Sequence, residues 1–129
     1  MTTTKRAGKA VSGLRIKRVY EPAAKDDGLR VLVDRLWPRG LAKDKARVDQ
    51  WLKDVAPSDT LRRRFHGQPA KWDEFVAAYG RELAQEPALS ALMTLRALVR
   101  KQPVTLLYAA RDEAHNNAVA LKKFLEAKN

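Results

Sequence analysis

Apolar residues in this chain follow two patterns, short continuous runs and long helical stripes. RVLVD (30–34) and VTLLYAA (104–110) carry consecutive apolar residues between polar flanks, the mark of strands covered on both faces. RIKRVY (15–20) mixes Ile16 and Val19 with basic residues, and its β-branched content predicts a further strand. Helical spacing takes over in the middle of the chain. Trp72, Phe75, Val76, Tyr79 and Leu83 form an i, i+3, i+4, i+7, i+11 stripe behind Pro69. Leu89, Leu92, Leu95 or Arg96, and Val99 form a second behind Pro87. Proline suits a first helical position, where a backbone N–H would lack a partner anyway. Both stripes read as core faces. Ser58 is placed to cap the helix of SDTLRRRF (58–65), with Leu61 and Phe65 on one face and Arg62, Arg63 and Arg64 outward. Asp112 is the candidate cap of a last helix starting near residue 113, with Ala118, Leu121 and Leu125 inward.

Between these elements the chain turns polar. Pro22 and AKDDG (24–28) end the first strand. The 21–29 connection is shorter than the roughly dozen residues a helical crossover needs, so a hairpin is expected there. Residues 38–46 read as loop, and VDQWLKDV (48–55) as a short helix or an extended segment. The expected fold is a single small α/β domain over 14–129, a central, largely parallel or mixed sheet with helices on both faces. A flexible basic arm over 1–13 precedes it.

Composition narrows the function classes. A chain of 129 residues supports one domain with a core of its own. No stretch approaches the roughly 18 apolar residues of a membrane helix, and the N-terminus lacks the apolar core of a secretory signal; a cytoplasmic protein with no membrane partner is expected. With no cysteine, disulfides, thiol nucleophiles and cysteine-held metals are excluded. His66 and His115 are the only histidines, so no metal site is expected, and no cofactor is called for. The net charge of +11 attracts polyanions. Lys5, Arg6, Lys9, Arg15, Lys17 and Arg18 crowd residues 1–20 without an acid. Non-specific binding to nucleic acid at low salt is expected from such a charge.

The candidate chemistry lies where the two apolar runs end. The first continues into Asp34-Arg35 and then Trp37-Pro38-Arg39-Gly40; the second ends at Arg111-Asp112. Parallel neighbouring strands would bring these ends together at the carboxyl edge of the sheet, where open α/β sheets bind ligands. Arg35, Arg39 and Arg111 offer planar forks for phosphate or carboxylate, with Trp37 as a wall. Asn116 would add an amide from the start of the last helix. Asp34 is the candidate catalytic carboxylate, as general base or as a group orienting an arginine, and Ser58 and Arg62 are accessory candidates. The alternative is a structural corner sealed by salt bridges. No Gly-rich phosphate loop, HExxH pair or GxSxG elbow is present. His66, next to Gly67, reads as a helix C-terminal residue.

IKRVYEP, DGLRVLVDRLWPRGL, WLKDVAPS, LRRRFHG, FVAAYGREL and VTLLYAARD…NNA follow one another in this chain. In that order they resemble the YeaO-like family, domain of unknown function 488, over roughly residues 16–126. The resemblance implies a cytoplasmic α/β fold found widely among bacteria, with no established reaction and no known required cofactor. It matches Asp34, Arg35, Trp37, Pro38, Arg39 and Gly40 to the family's first signature. Trp51, Pro57, Ser58, Leu61, Arg62 and Phe65 match the middle one; Tyr79, Glu82 and Leu83, then Asn116 and Ala118, match the later ones. A basic residue at Arg111 fits the pattern. His115, the triplet Arg62–Arg64 and the basic arm are features of this chain rather than of the family. The expected function is binding of a small anionic ligand at the carboxyl edge, with catalysis left open. The alternative is a nucleic-acid-binding or protein-interaction module that uses the basic surface and the Trp37-Pro38-Arg39 loop.

Overall fold

A computed structural model describes residues 13–127; the basic arm expected over 1–13 lies, except for Gly13, outside the described residues. Four strands form one sheet: β1 (Leu14–Arg18), β2 (Leu29–Leu32), β3 (Gln50–Trp51) and β4 (Val104–Tyr108). Their spatial order is β1-β4-β2-β3, and every pairing is parallel. The helices are α1 (Lys43–Ala46), α2 (Asp59–Phe65), α3 (Trp72–Leu83), α4 (Ala88–Lys101) and α5 (Asn117–Glu126). The fold is a single small α/β domain. No helix among the described residues is long and apolar enough to cross a membrane.

The two continuous apolar runs occupy the two central positions of the sheet, as their two-faced burial requires. Along β2 and its extension, Val31 and Val33 look to one face and Leu32 to the other; in β4, Leu106 and Tyr108 oppose Leu107. All six are buried. The first face meets the main core, where α2 brings Leu61, α3 Tyr79 and Leu83, α4 Leu92, Leu95 and Val99, and α5 Leu121 and Leu125. Both helical stripes therefore face the core. The second face is thinner. Val19, Leu32 and Leu107 are covered there by Trp37, Leu41, Val48 and Trp51, and α1 is tied to that side through Arg30. Helices thus lie on both faces, very unequally.

Three local expectations change. The 21–29 segment makes no hairpin, because β1 and β2 run parallel with β4 between them. Short strands let ten residues, 19–28, make the return with only a single 3-10 turn at Lys25–Asp27. Gly28 makes the entry to β2 possible. Its φ is +68°, and a Cβ there would stand 2.4 Å from the Pro103 carbonyl oxygen. Within the stretch read as loop, residues 43–46 form α1; the 48–55 segment divides into β3 and a 3-10 turn at Lys53–Val55. The last helix begins at Asn117, four residues later than expected, and Asn116 caps it by accepting from the Val119 N–H at 3.0 Å. Asp112 instead folds the preceding turn, its carboxylate accepting from the N–H groups of Ala114 and His115. Ser58 does cap α2, accepting from the Leu61 N–H at 3.1 Å.

The amino end of the sheet holds a buried charge cluster. Asp27 is 2% exposed, and its carboxylate accepts from Lys17 Nζ at 2.9 and 3.1 Å, from the Ala24 N–H at 2.9 Å, and from Arg30. The remaining Arg30 donors go to the carbonyls of Ala46 and Arg47, both at 2.9 Å, and the Thr105 hydroxyl donates to the Asp27 carbonyl at 2.7 Å. Burial by itself would raise the Asp27 pKa; the bonds from Lys17, Ala24 and Arg30 together outweigh it and hold the group at about 2, below the ordinary 3.8. Asp27 therefore adds stability that is complete above about pH 5 and is lost as pH falls from 3.8 through about 2. Asp27→Ala, which strands two cations, is expected to destabilise the fold by about 3–5 kcal/mol in urea unfolding at neutral pH. The difference from the unsubstituted protein should shrink as the pH is lowered through that window.

Candidate functional site

Parallel pairing places the last residues of β1, β2 and β4 at one edge, so the predicted convergence of the two apolar strand ends is present. Asp34 holds it together. One carboxylate oxygen accepts the N–H of Ala109, just beyond β4, at 2.9 Å. The other accepts Asn117 Nδ2 at 3.1 Å, and the same amide donates to the Val33 carbonyl at 2.8 Å. Asn117 opens α5, so the ends of two strands and the first turn of a helix meet at one side chain. Burial raises the Asp34 pKa above its ordinary value; the bonds from Asn117 and Ala109 and the charge of Arg62 pull it down in part.

Most other predicted ligand contacts have partners within the protein. The Arg35 guanidinium donates to the carbonyls of Ala56 at 2.9 Å and Pro57 at 3.2 Å, bracing the approach to α2 rather than facing a ligand. Trp37 donates its indole N–H to the Leu41 carbonyl at 2.7 Å, closing its own loop, and meets Trp51 edge to face at 5.4 Å. Trp51 in turn donates to the Asp34 carbonyl at 2.7 Å. Asn116 is buried and engaged at both ends, its Nδ2 donating to the Asp112 carbonyl at 2.9 Å while its oxygen caps α5. Ser58 donates to a Glu82 carboxylate oxygen, and its N–H reaches the other at 2.9 Å, so α3 helps cap α2. Arg62 pairs with Asp59 at 3.0 Å on the surface.

Arg39 and Arg111 differ from these. Both are exposed, and neither guanidinium has an ion pair among the described residues. A third arginine joins them that the sequence reading does not single out. Arg18 ends β1, and its Nε and Nη2 donate to the carbonyls of Ala110 at 2.9 Å and Ala109 at 3.0 Å. Tyr20 links this group to the 36–41 loop. Its ring lies 4.9 Å from the Arg18 guanidinium, and its hydroxyl donates to the Arg39 carbonyl at 2.8 Å. The rim of the edge thus runs from Arg39 through Tyr20 and Arg18 to the residue before Arg111. Glu21 and Glu113 lie close enough to Tyr108 to act on it electrostatically, but form no ion pair with these arginines. His115 pairs with Asp112 at 3.1 Å and touches Trp72 edge to face.

Two of the residues that build this edge, Asn117 and Arg18, were missed for definite reasons. The doubled asparagine at 116–117 is a helix-start signal as good as Asp112. Arg18 was overlooked because a hairpin would have sent the end of β1 to the opposite edge.

Comparison with known proteins agrees with the resemblance read from the motifs. The family model described as the inactive DUF488-N3 subclade matches residues 13–129. The uncharacterized protein YeaO of Escherichia coli (strain K12) is 42% identical over 114 residues, which cover 88% of this chain and 97% of that protein. The uncharacterized proteins Mb3100c of Mycobacterium bovis and Rv3073c of Mycobacterium tuberculosis are each 45% identical over 115 residues, covering 89% of this chain and 95% of theirs. No solved structure matches. With the family model spanning nearly the whole chain and relatives matched over almost their full length, this protein belongs to the YeaO-like DUF488 family.

Proposed function

We propose that the protein binds a small phosphate- or carboxylate-bearing ligand at the carboxyl edge of its sheet and holds it without turning it over. One observation supports the reading: beyond the carboxyl ends of β2 and β4, Arg39 and Arg111 are exposed and have no acidic partner among the described residues, while Arg18, held by the carbonyls of Ala109 and Ala110, adds a further positive charge beside them. Guanidiniums left unpaired at a sheet edge are suited to a planar anion. The partners of the polar side chains favour binding over turnover. Both Asp34 oxygens already accept hydrogen bonds, and the Ser58 hydroxyl sits between the Leu61 N–H and Glu82. The description of the subclade as inactive points the same way. A protein-docking role for the Trp37 loop has less support, since the indole is engaged with Leu41 and Trp51.

Amide-resolved NMR titration with inorganic phosphate and small phosphorylated metabolites tests this reading. Saturable shifts confined to residues 18–20, 34–41 and 109–112, persisting at raised salt, are expected. Arg39→Ala and Arg111→Ala should each weaken binding about fivefold or more, while Trp37→Ala should act mainly on stability. Shifts scattered over Arg62–Arg64 and the other basic surfaces, and abolished by salt, would refute the site.

Asp34 has a separate check. As a structural tie it should titrate above 3.8 by carboxyl-carbon NMR. Its raised pKa means that its own contribution to stability is largest at low pH and declines as pH rises through the folded-state value. Asp34→Ala, which leaves the donors of Ala109 and Asn117 without their acceptor, should destabilise the fold by roughly 1–3 kcal/mol in urea.

A further inference from the structure

The anion-binding reading leaves one side chain of the rim unused. Tyr20 is 41% exposed, a large ring at the surface. It is nevertheless fixed in place. The Arg18 guanidinium lies against the ring, 4.9 Å from its centroid, and is itself held by two backbone carbonyls. At the far end the phenolic O–H is tied to the Arg39 carbonyl. Arg18 occupies one face of the ring, which leaves the opposite face as the one on which a planar group would stack. A ring already anchored at both ends loses little freedom when a planar group stacks on it.

We propose that the anion taken at this edge is a nucleotide, with its base stacked on the open side of Tyr20 and its phosphate at Arg39 and Arg111. This rests on the anion-binding reading of the same site and adds the identity of the ligand class. The cation behind the ring suits a stacked arrangement of base, phenol and guanidinium, in which Arg18 holds the ring flat from behind. The neighbouring groups also set how selective the site is. The Trp37 indole N–H and the Asn116 and Asn117 amides are all engaged inside the protein, so these groups add little base readout and stacking supplies the main recognition. Stacking tolerates every base and favours the larger ring system, so purine nucleotides bind ahead of pyrimidine nucleotides.

The test is calorimetric titration of the full chain with AMP, UMP and ribose 5-phosphate, repeated with Tyr20→Leu and Tyr20→Phe. AMP is expected to bind roughly 5- to 100-fold tighter than ribose 5-phosphate, with UMP between them. Tyr20→Leu should erase that advantage, read as the ratio of AMP to ribose 5-phosphate affinity, because any loss from releasing Arg18 and Arg39 is common to both ligands. Tyr20→Phe, which keeps the ring and loses the tether to Arg39, should retain most of that advantage. Equal affinities for AMP and ribose 5-phosphate in the unsubstituted protein would overturn the nucleotide assignment and leave the anion site standing. An AMP advantage that survives undiminished in Tyr20→Leu would overturn stacking on this ring, since the ring would then only support the rim. If none of the three compounds binds, the anion site itself is refuted.

Discussion

Three pieces of backbone far apart in sequence meet at the carboxylate of Asp34: the end of β2, the residue after β4, and the first turn of α5. The Ala109 N–H has its acceptor there, and the Asn117 amide divides its two hydrogens between Asp34 and the Val33 carbonyl; unmet donors are costly in a half-buried setting. The Asp34 carbonyl extends the tie to Trp51, which packs against Trp37 and so fixes the 37–41 loop. Arg35, the next residue, is aimed the other way and steadies the segment leading into α2. Through its carboxylate and its carbonyl, Asp34 thus ties the strand end of β2 to β4, to α5 and to the tryptophan pair beside the 37–41 loop.

The opposite end of the sheet solves a similar problem with different chemistry. Asp27 is surrounded by two cations and a backbone N–H and remains ionised at low pH; Asp34 receives an amide and a backbone N–H, and burial dominates. A buried carboxylate paired with full charges consumes them. One held by neutral donors does not. The amino end therefore uses up Lys17 and Arg30, whereas at the carboxyl end the nearby arginines stay unneutralised. The contrast gives the two ends of the sheet different surfaces, although each is closed by an aspartate.

Elements whose pattern reflects burial alone were legible in the sequence. Val31, Leu32 and Val33, and the run from Val104 to Tyr108, had to be covered on both sides and occupy the two central strands. The stripe from Trp72 to Leu83 faces the core for the same reason. What escaped depended on geometry between distant residues. Arg30 sits in an apolar-looking strand, and nothing local announces that Asp27 and the carbonyls after α1 will receive it. The length of the 21–29 connection argued for a hairpin, but that rule presumes a helical crossover, and these strands are short enough to be rejoined by a turn. At the candidate edge, the meeting of the two apolar strand ends was readable, because both runs had to lie in the middle of the sheet. The engagement of Arg35, Asn116 and Ser58 with their own neighbours was not, because residue type alone does not distinguish a free guanidinium, amide or hydroxyl from an occupied one.

The insertion of β4 between β1 and β2 has a consequence for how the molecule comes into being. The first two strands are only some ten residues apart, yet they share no hydrogen bond; each is completed by a segment that begins at Val104. During synthesis β1 has no partner in the sheet, and β2 only the two-residue β3, until the segment from Val104 has been made. The helices α2, α3 and α4 can take shape meanwhile from local contacts, but the sheet closes late and over long loops, which slows folding. Over that interval the apolar residues of β2 are uncovered on a nascent chain, where such surface invites association with other chains.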